Sequence, residues 1–249
     1  MAEPAQTIEG WYALHDFRSI DWNSWKTADR QRQALDEWSG LCAAWDAEAK
    51  AGQGSFAVYA IAGSKADFLL LHFRPTLADL IDCKTRFDST TLADHTVKTY
   101  SYVSIVELSA YLSRAGVNPA DDPRLAARLF PTPPDEGAVC FYPMNKRRSG
   151  NDNWYSLPME DRQTMMASHG QIGRKYAGVV TQVITGSVGF DDWEWGVTLF
   201  ANDPLQFKKL IYEMRFDEVS ARFAEFGPFY VGQRVAPDRA ADLFALRHT

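Results

Sequence analysis

His169 stands in the run Met165-Met166-Ala167-Ser168-His169-Gly170-Gln171-Ile172-Gly173-Arg174-Lys175-Tyr176. Met165, His169, Ile172 and Tyr176 are spaced four, three and four, which on a helix gives them one face. That face is expected to be the buried one, so the histidine is either a satisfied core residue or a ligand. Intermediate burial is ordinary for histidine, which favours the core residue. Gly170 and Gly173 favour the ligand. Each lowers helix propensity by roughly 1 kcal/mol, and beside His169 both remove bulk where something large and flat could approach. A zinc site needs three or four ligands. A single imidazole without a partner histidine or cysteine nearby is the way haem iron is held on its proximal side. His15, His72, His95 and His248 lack such spacing and read as structural or solvated.

Other chemistry-bearing residues gather in the same half of the chain. In Cys140-Phe141-Tyr142-Pro143-Met144, strand alternation puts Cys140, Tyr142 and Met144 on one face, with Lys146 beyond on the same side. Tyr142 is then a core tyrosine with its hydroxyl at the rim, or a phenol placed close to an oxidant. Lys146, Arg147 and Arg148 form a basic cluster that is either a solvated turn or a grip for a carboxylate. Gln182 has apolar or β-branched neighbours in Val179-Val180-Thr181-Gln182-Val183-Ile184, so it is expected to point into a barrel. It reads as an edge-strand polar residue or as a neutral hydrogen-bonding amide in a cavity. Trp154, Arg174, Arg215 and Ser220 complete a set of polar or amphipathic residues with few counterparts in the first half.

The elements that position these residues follow one plan, twice. The first half reads as a strand from Ile8 to His15, a helix from about Trp22 to Ala51 and two strands, Ser55 to Ile61 and Asp67 to Arg74. A helix from about Leu77 to Phe87 with Thr76 as N-cap and a strand from Val97 to Leu108 complete it. The second half reads as a strand from Glu136 through Met144, a helix from about Met159 to Tyr176 and strands Val179 to Thr185 and Trp193 to Ala201. A helix from about Pro204 to Phe223 and a strand from Pro228 to Val235 follow. Glu136-Gly137 opens the second copy as Glu9-Gly10 opens the first. This order is the ferredoxin-like unit repeated, an α+β class in which two antiparallel sheets pack into a dimeric-type α+β barrel. The expected divisions are residues 1–112 as scaffold half, 113–135 as linker, 136–235 as the half carrying the site, and 236–249 as a tail of unread role.

Bulk properties narrow the classes of function. Hydrophobic residues make up 46% and charged residues 23% of 249, as in an ordinary globular protein able to build its own core. A net charge of −6 argues against a general nucleic-acid binder while leaving room for a local basic pocket. No stretch is apolar for long enough to span a bilayer. No basic segment followed by an apolar run opens the chain, so no signal peptide is expected. Cys42, Cys83 and Cys140 are scattered and odd in number, which fits reduced thiols in a cytoplasmic protein.

Several ordered motifs resemble one family. They are Tyr142-Pro143-Met144-Asn145-Lys146-Arg147, Asn153-Trp154-Tyr155, His169-Gly170-Gln171-Ile172-Gly173-Arg174, Gly186-Ser187-Val188-Gly189 with Asp191-Asp192-Trp193-Glu194-Trp195, and Met214-Arg215-Phe216-Asp217-Glu218-Val219-Ser220. Together with Tyr100-Ser101-Tyr102-Val103-Ser104 and Val106-Glu107-Leu108-Ser109, they look like the coproheme decarboxylases of the chlorite-dismutase-like superfamily. The resemblance runs from about Trp11 to Val235. It implies a cytoplasmic homopentamer that binds Fe-coproporphyrin III (coproheme) and uses hydrogen peroxide to turn two propionates into vinyl groups, leaving haem b. A transient contact with a coproporphyrin ferrochelatase would fit that role. Carried over, His169 is the iron ligand, Tyr142 the redox-active tyrosine, and Lys146 acts with Trp154 on the reacting propionate. Gln182 lies on the distal side. Arg215, Ser220 and, on a weaker match in the linker, Arg128 hold propionates, and Met144 joins them in lining the porphyrin site. Chlorite dismutase proper carries a distal arginine where this chain has Gln182. Dye-decolourising peroxidases carry Gly-x-x-Asp-Gly, and Gly189-Phe190-Asp191-Asp192-Trp193 lacks the final glycine. A non-enzymatic haem-binding barrel would keep His169 but would not require Tyr142 or Lys146.

Overall fold

A computed structural model describes residues 3–109 and 122–245. Residues 113–121 of the expected linker, together with His248 and the last residues of the tail, lie outside the described residues. The chain forms two compact units, each discontinuous in sequence. Both are antiparallel sheets with helices packed on them, the mixed α+β class expected from two ferredoxin-like repeats.

One unit comprises Trp11–Val103, Phe130–Ala138 and the stretch from Tyr230 onward. Strand β1 (Thr7–Ile20) pairs antiparallel with β3 (Phe68–Arg74) in the register Tyr12↔Arg74 to Arg18↔Phe68. β3 pairs with β2 (Ser55–Ile61), and β2 pairs with β11 (Tyr230–Val235) through Gly232↔Ile61. The helix expected over Trp22–Ala51 is two helices, α1 (Trp22–Lys26) and α2 (Gln31–Lys50). The break has a local cause. Thr27 donates its hydroxyl to the carbonyls of Asn23 and Ser24, and the Gln31 amide donates to the Trp25 carbonyl at 2.6 Å. The last carbonyls of α1 thus find partners without another helical turn. In α2 the buried stripe is Ala34, Trp38, Cys42 and Trp45, so Leu35 lies at its edge. Helix α3 (Leu77–Asp88) starts at Thr76 as expected, with a full capping box closed by Asp79. The final strand begins at Tyr230 rather than Pro228. Beyond it, the 3-10 turn Pro237–Phe244 buries Ala240 and Phe244 in the core formed by Trp25, Trp38 and Phe87, and Trp25 Nε1 donates to the Phe244 carbonyl at 2.8 Å. This part of the tail is therefore core.

The other unit comprises the described residues of Met1–Gly10, Ser104–Leu129 and Val139–Phe229. Its sheet is built from β5 (Ala138–Lys146), β8 (Thr181–Gly186), β9 (Trp195–Ala201), β10 (Ala224–Phe226) and the latter part of β4 (Thr96–Ser109). Between β5 and the next helix lies a short ladder, β6 (Arg148–Ser149) against β7 (Asp152–Asn153). Helix α4 (Pro123–Leu129) occupies the described part of the expected linker. Gly10 admits it: a Cβ there would lie 2.0 Å from the Leu129 carbonyl oxygen, so no other residue fits. Helix α5 (Met159–Lys175) carries His169, and α6 (Leu205–Met214) packs beside it. The helix expected to run on to Phe223 stops at Met214. A turn follows, and then a π-helical segment, Val219–Phe223, before β10. In that turn Asp217 caps the segment by accepting the Ser220 backbone N–H at 3.2 Å.

Candidate functional site

The polar residues singled out in the second half all lie in this second unit. β5 carries Tyr142, Met144 and Lys146 along one face, becoming more open toward Lys146. Tyr142 is buried, stacked on Phe229 with ring centroids 4.6 Å apart and tilted against Phe226 at 5.7 Å. Burial pushes its phenol above the ordinary tyrosine range, with Cys140 adding to the shift and Arg215 opposing it. The hydroxyl is therefore protonated at all ordinary pH values. Met144 is half-buried and stands opposite Phe226 in the β5–β10 ladder.

Lys146 is half-buried, with its ammonium 4.7 Å from the centre of the Trp154 ring. Burial drives its pKa down to about 8, and the nearby carboxylates Asp217 and Glu194 oppose that shift. Trp154 sits in the turn Trp154–Ser156 and is held by Val219 and Phe223, with Met165 and Met166 of α5 packed against the cluster. The rest of the basic cluster is engaged by the protein's own carboxylates. Arg147 lies 3.8 Å from Asp152 and 3.6 Å from Glu225, and Arg148 lies 3.4 Å from Glu194. Lys146 is the member of the cluster that stands over an aromatic ring.

His169 and its neighbours are more open than their spacing suggested. Met165, His169, Ile172 and Tyr176 are half-buried, and the buried residue of α5 is Arg162. The helix packs on α6 and the Val219–Phe223 segment, and it carries too few apolar side chains to close a full face. At Gly173 a Cβ would make an ordinary 3.6 Å contact with Met214 Cε of α6, so a small side chain would be accommodated there. What the structure does supply is a partner. His169 Nδ1 lies 2.7 Å from Asp217 Oδ2, and the Asp217 side chain is almost wholly buried. An aspartate in this position accepts the Nδ1 proton, fixes the ring's tautomer and orientation, and leaves Nε2 as the nitrogen with a lone pair.

Gln182 is exposed. Val183 and Thr185 take the buried side of β8, so alternation puts Gln182 on the open side with Ile184. Arg215 follows the last turn of α6. It is exposed, and its guanidinium lies 3.8 Å above the Phe226 ring that also flanks Tyr142. Ser220 is buried at the start of the π-helical segment. Arg128 is exposed on α4, an element apart from those that bear the other residues. The remaining described histidines are structural. His72 stacks on Phe56 at 4.9 Å, His95 shares a 2.6 Å hydrogen bond with Ser24, and burial lowers His15 to about 3.

Sequence reasoning missed two acids. Asp217 was readable as part of a motif but not as a partner of His169. Its signal lay in the register Phe207, Leu210, Met214, Asp217, where steps of three, four and three carry the apolar stripe of α6 past its end to a carboxylate in the turn beyond. A charge in that position demands a partner. Glu194 is also buried, and it accepts the Lys146 backbone N–H at 2.9 Å. No periodicity marks it, because it lies in the loop before β9.

Comparison with known proteins gives the chain's family and fold. A chlorite dismutase family profile matches residues 31–235. A solved structure of a haem-binding protein from Thermus thermophilus is 47% identical over 99% of each chain, with a TM-score of 0.94. A mutant chlorite dismutase from Candidatus Nitrospira defluvii is 20% identical over 95% of this chain and 96% of that one, with a TM-score of 0.77. A putative chlorite dismutase at 17% identity covers 96% of this chain and all of its own, with a TM-score of 0.76. The latter two speak to the fold alone. Since the profile spans most of the sequence, and a relative matches it nearly end to end, the chain belongs to the chlorite dismutase family.

Proposed function

We propose that this protein is a hydrogen-peroxide-dependent coproheme decarboxylase. The observation that carries the proposal is the His169–Asp217 pair, which presents one imidazole nitrogen for iron, within a unit that also holds a buried phenol at Tyr142 and a cation at Lys146. These residues fit an iron porphyrin bearing propionates. A single imidazole suits a metal already held in a macrocycle. Lys146 and Arg215 suit carboxylates. The relative from Thermus thermophilus, described as haem-binding, supports the same ligand class.

The bound iron would bring peroxide chemistry to the site. The chain's residues would do the rest. Asp217 would keep the Nδ1 proton of His169 and so hold Nε2 toward the metal. Lys146, resting on Trp154, would pair with the reacting carboxylate and fix its side chain near Tyr142. Tyr142 would lose an electron and a proton, then take a hydrogen atom from the propionate β-carbon. Removal of a second electron lets the carbon–carboxylate bond break, leaving a vinyl group and carbon dioxide. For each propionate the two electrons reduce one hydrogen peroxide, which with one proton from solvent gives two waters. Arg215 and Ser220 would bind propionates that do not react, with Arg128 a further candidate and Met144 an apolar contact. Gln182, a neutral amide on the open side of β8, would face the peroxide side. It offers no charge to an anion such as chlorite, which sets this reading apart from chlorite dismutase.

The test is addition of coproheme and then peroxide to the purified protein, followed by mass spectrometry of the extracted porphyrin. Haem b formed through a singly decarboxylated species is the expected outcome, and an unchanged coproheme mass refutes the proposal. Bound porphyrin of unchanged mass would instead favour the haem-binding reading that the Thermus relative's description suggests. Light scattering reads the homopentamer implied by the family resemblance. Co-purification with a coproporphyrin ferrochelatase reads the transient contact, and fractionation reads the cytoplasmic location.

A further inference from the structure

The end of β5 and the loop before β9 are joined by a reciprocal pair of hydrogen bonds. The Lys146 backbone N–H donates to Glu194 Oε2 at 2.9 Å, and the Glu194 backbone N–H donates to Asn145 Oδ1 at 2.8 Å. The Glu194 carbonyl also accepts the Ser187 N–H at 2.8 Å, tying down the loop between β8 and β9. The carboxylate of Glu194 is nearly buried, and its other oxygen lies 3.4 Å from the exposed guanidinium of Arg148. Arg148 belongs to β6, in the ladder that leads to Trp154, the ring beneath the Lys146 ammonium.

We propose that Glu194 is a positioning residue for Lys146: it clamps the backbone from which that side chain springs and places a negative charge beside the ammonium, with Arg148 as the outer counter-ion that tempers it. The inference rests on the proposed role of Lys146 in holding the reacting carboxylate. Three groups bear on the ammonium. Asp217, from the turn after α6, and Glu194, from the loop before β9, favour its charge, and the Trp154 ring lies under it. Asp217 is engaged with His169 and the Ser220 N–H, so Glu194 is the carboxylate whose charge can be changed without disturbing the histidine. Arg147 is directed elsewhere, toward Asp152 and Glu225.

The test is titration of Lys146 in the ligand-free protein, by competitive amine labelling across pH and mass spectrometry of its peptide. Glu194→Gln keeps an acceptor for the Lys146 N–H but removes the charge. The labelling midpoint should fall by about one pH unit, as for loss of a neighbouring opposite charge. Arg148→Ala, at an exposed position, should shift the midpoint upward, since it removes a competing cation. A midpoint unmoved in Glu194→Gln with an unchanged melting curve overturns the proposal. If Glu194→Gln does not fold, Arg148→Ala decides: an upward shift supports the clamp and no shift overturns it. Labelling does not depend on porphyrin chemistry. A shifted midpoint in a protein that never decarboxylates coproheme would leave this inference standing while removing the proposed function. With coproheme and peroxide, Glu194→Gln should also move the alkaline limb of the rate profile to lower pH, a change that general loosening of the loop would not produce.

Discussion

Asp217→Asn is the most informative perturbation of the site. The wild-type carboxylate is nearly inaccessible, lies 2.7 Å from His169 Nδ1 and accepts the Ser220 N–H at 3.2 Å. Asparagine has the same shape and can still accept one hydrogen bond through its carbonyl. The variant therefore removes charge without opening a cavity, whereas alanine would also leave the buried N–H of Ser220 without its acceptor. Hydrogen bonds to a charged group contribute about 1.5–3 kcal/mol. Loss of an outer partner to a metal-bound histidine typically weakens binding by about 10–100-fold, or about 1.4–2.8 kcal/mol at 1.4 kcal/mol per tenfold, so the two scales agree. Coproheme titrated into Asp217→Asn should bind that much more weakly. The iron–histidine stretch of the reduced complex should fall in frequency, because a neutral partner draws less on the Nδ1 proton and Nε2 becomes a poorer donor. His169→Ala serves as the reference in which the ligand itself is gone. If Asp217→Asn melts like wild type but shows unchanged affinity and an unchanged stretch, the buried aspartate does not act through His169, and the site's assignment as an iron site loses its main support.

Four further outcomes are expected. Tyr142→Phe keeps the ring stack on Phe229 and should bind coproheme normally while forming no haem b; decarboxylation at the wild-type rate, read by mass spectrometry, would exclude the radical role. Lys146 titrates near 8 in the folded protein against an ordinary 10.5, so activity that needs its charge should be full below about pH 7 and fall as pH rises through 8. Between 8 and 10.5 the unfolded chain holds the extra proton, so the unfolding free energy should rise with pH in that window, and chemical denaturation of Lys146→Met should lack that component. Phe244→Ala should cost about 3–5 kcal/mol, as for other buried Phe truncations, because this tail residue is 1% exposed against Trp25 and Phe68. A denaturation midpoint within error of wild type would show that the tail is not part of the core.

Periodicity and punctuation were enough to read the repeated strand–helix–strand–strand–helix–strand order, the capping box at Thr76 and the placement of Tyr142, Met144 and Lys146 on one strand face. These are local properties: alternation, helical spacing and cap chemistry act within a few residues, so they are written in the order of the chain. Where side chains compete with the backbone, local rules misled. The Thr27 and Gln31 hydrogen bonds split one expected helix, and the other gives way to a turn after Met214.

His169 stands out in the sequence by its spacing and its flanking glycines, but neither defines its setting. Its face is half-open rather than buried. What distinguishes His169 is a carboxylate 48 residues away in the chain and 2.7 Å away in space. Likewise the pKa of Lys146 is lowered by burial and held from falling further by Asp217 and Glu194, which come from separate segments. The kinds of chemistry available were legible because residue types are local. The tautomer of the histidine and the charge state of the lysine were not, because both depend on burial and on partners that no sequence spacing encodes.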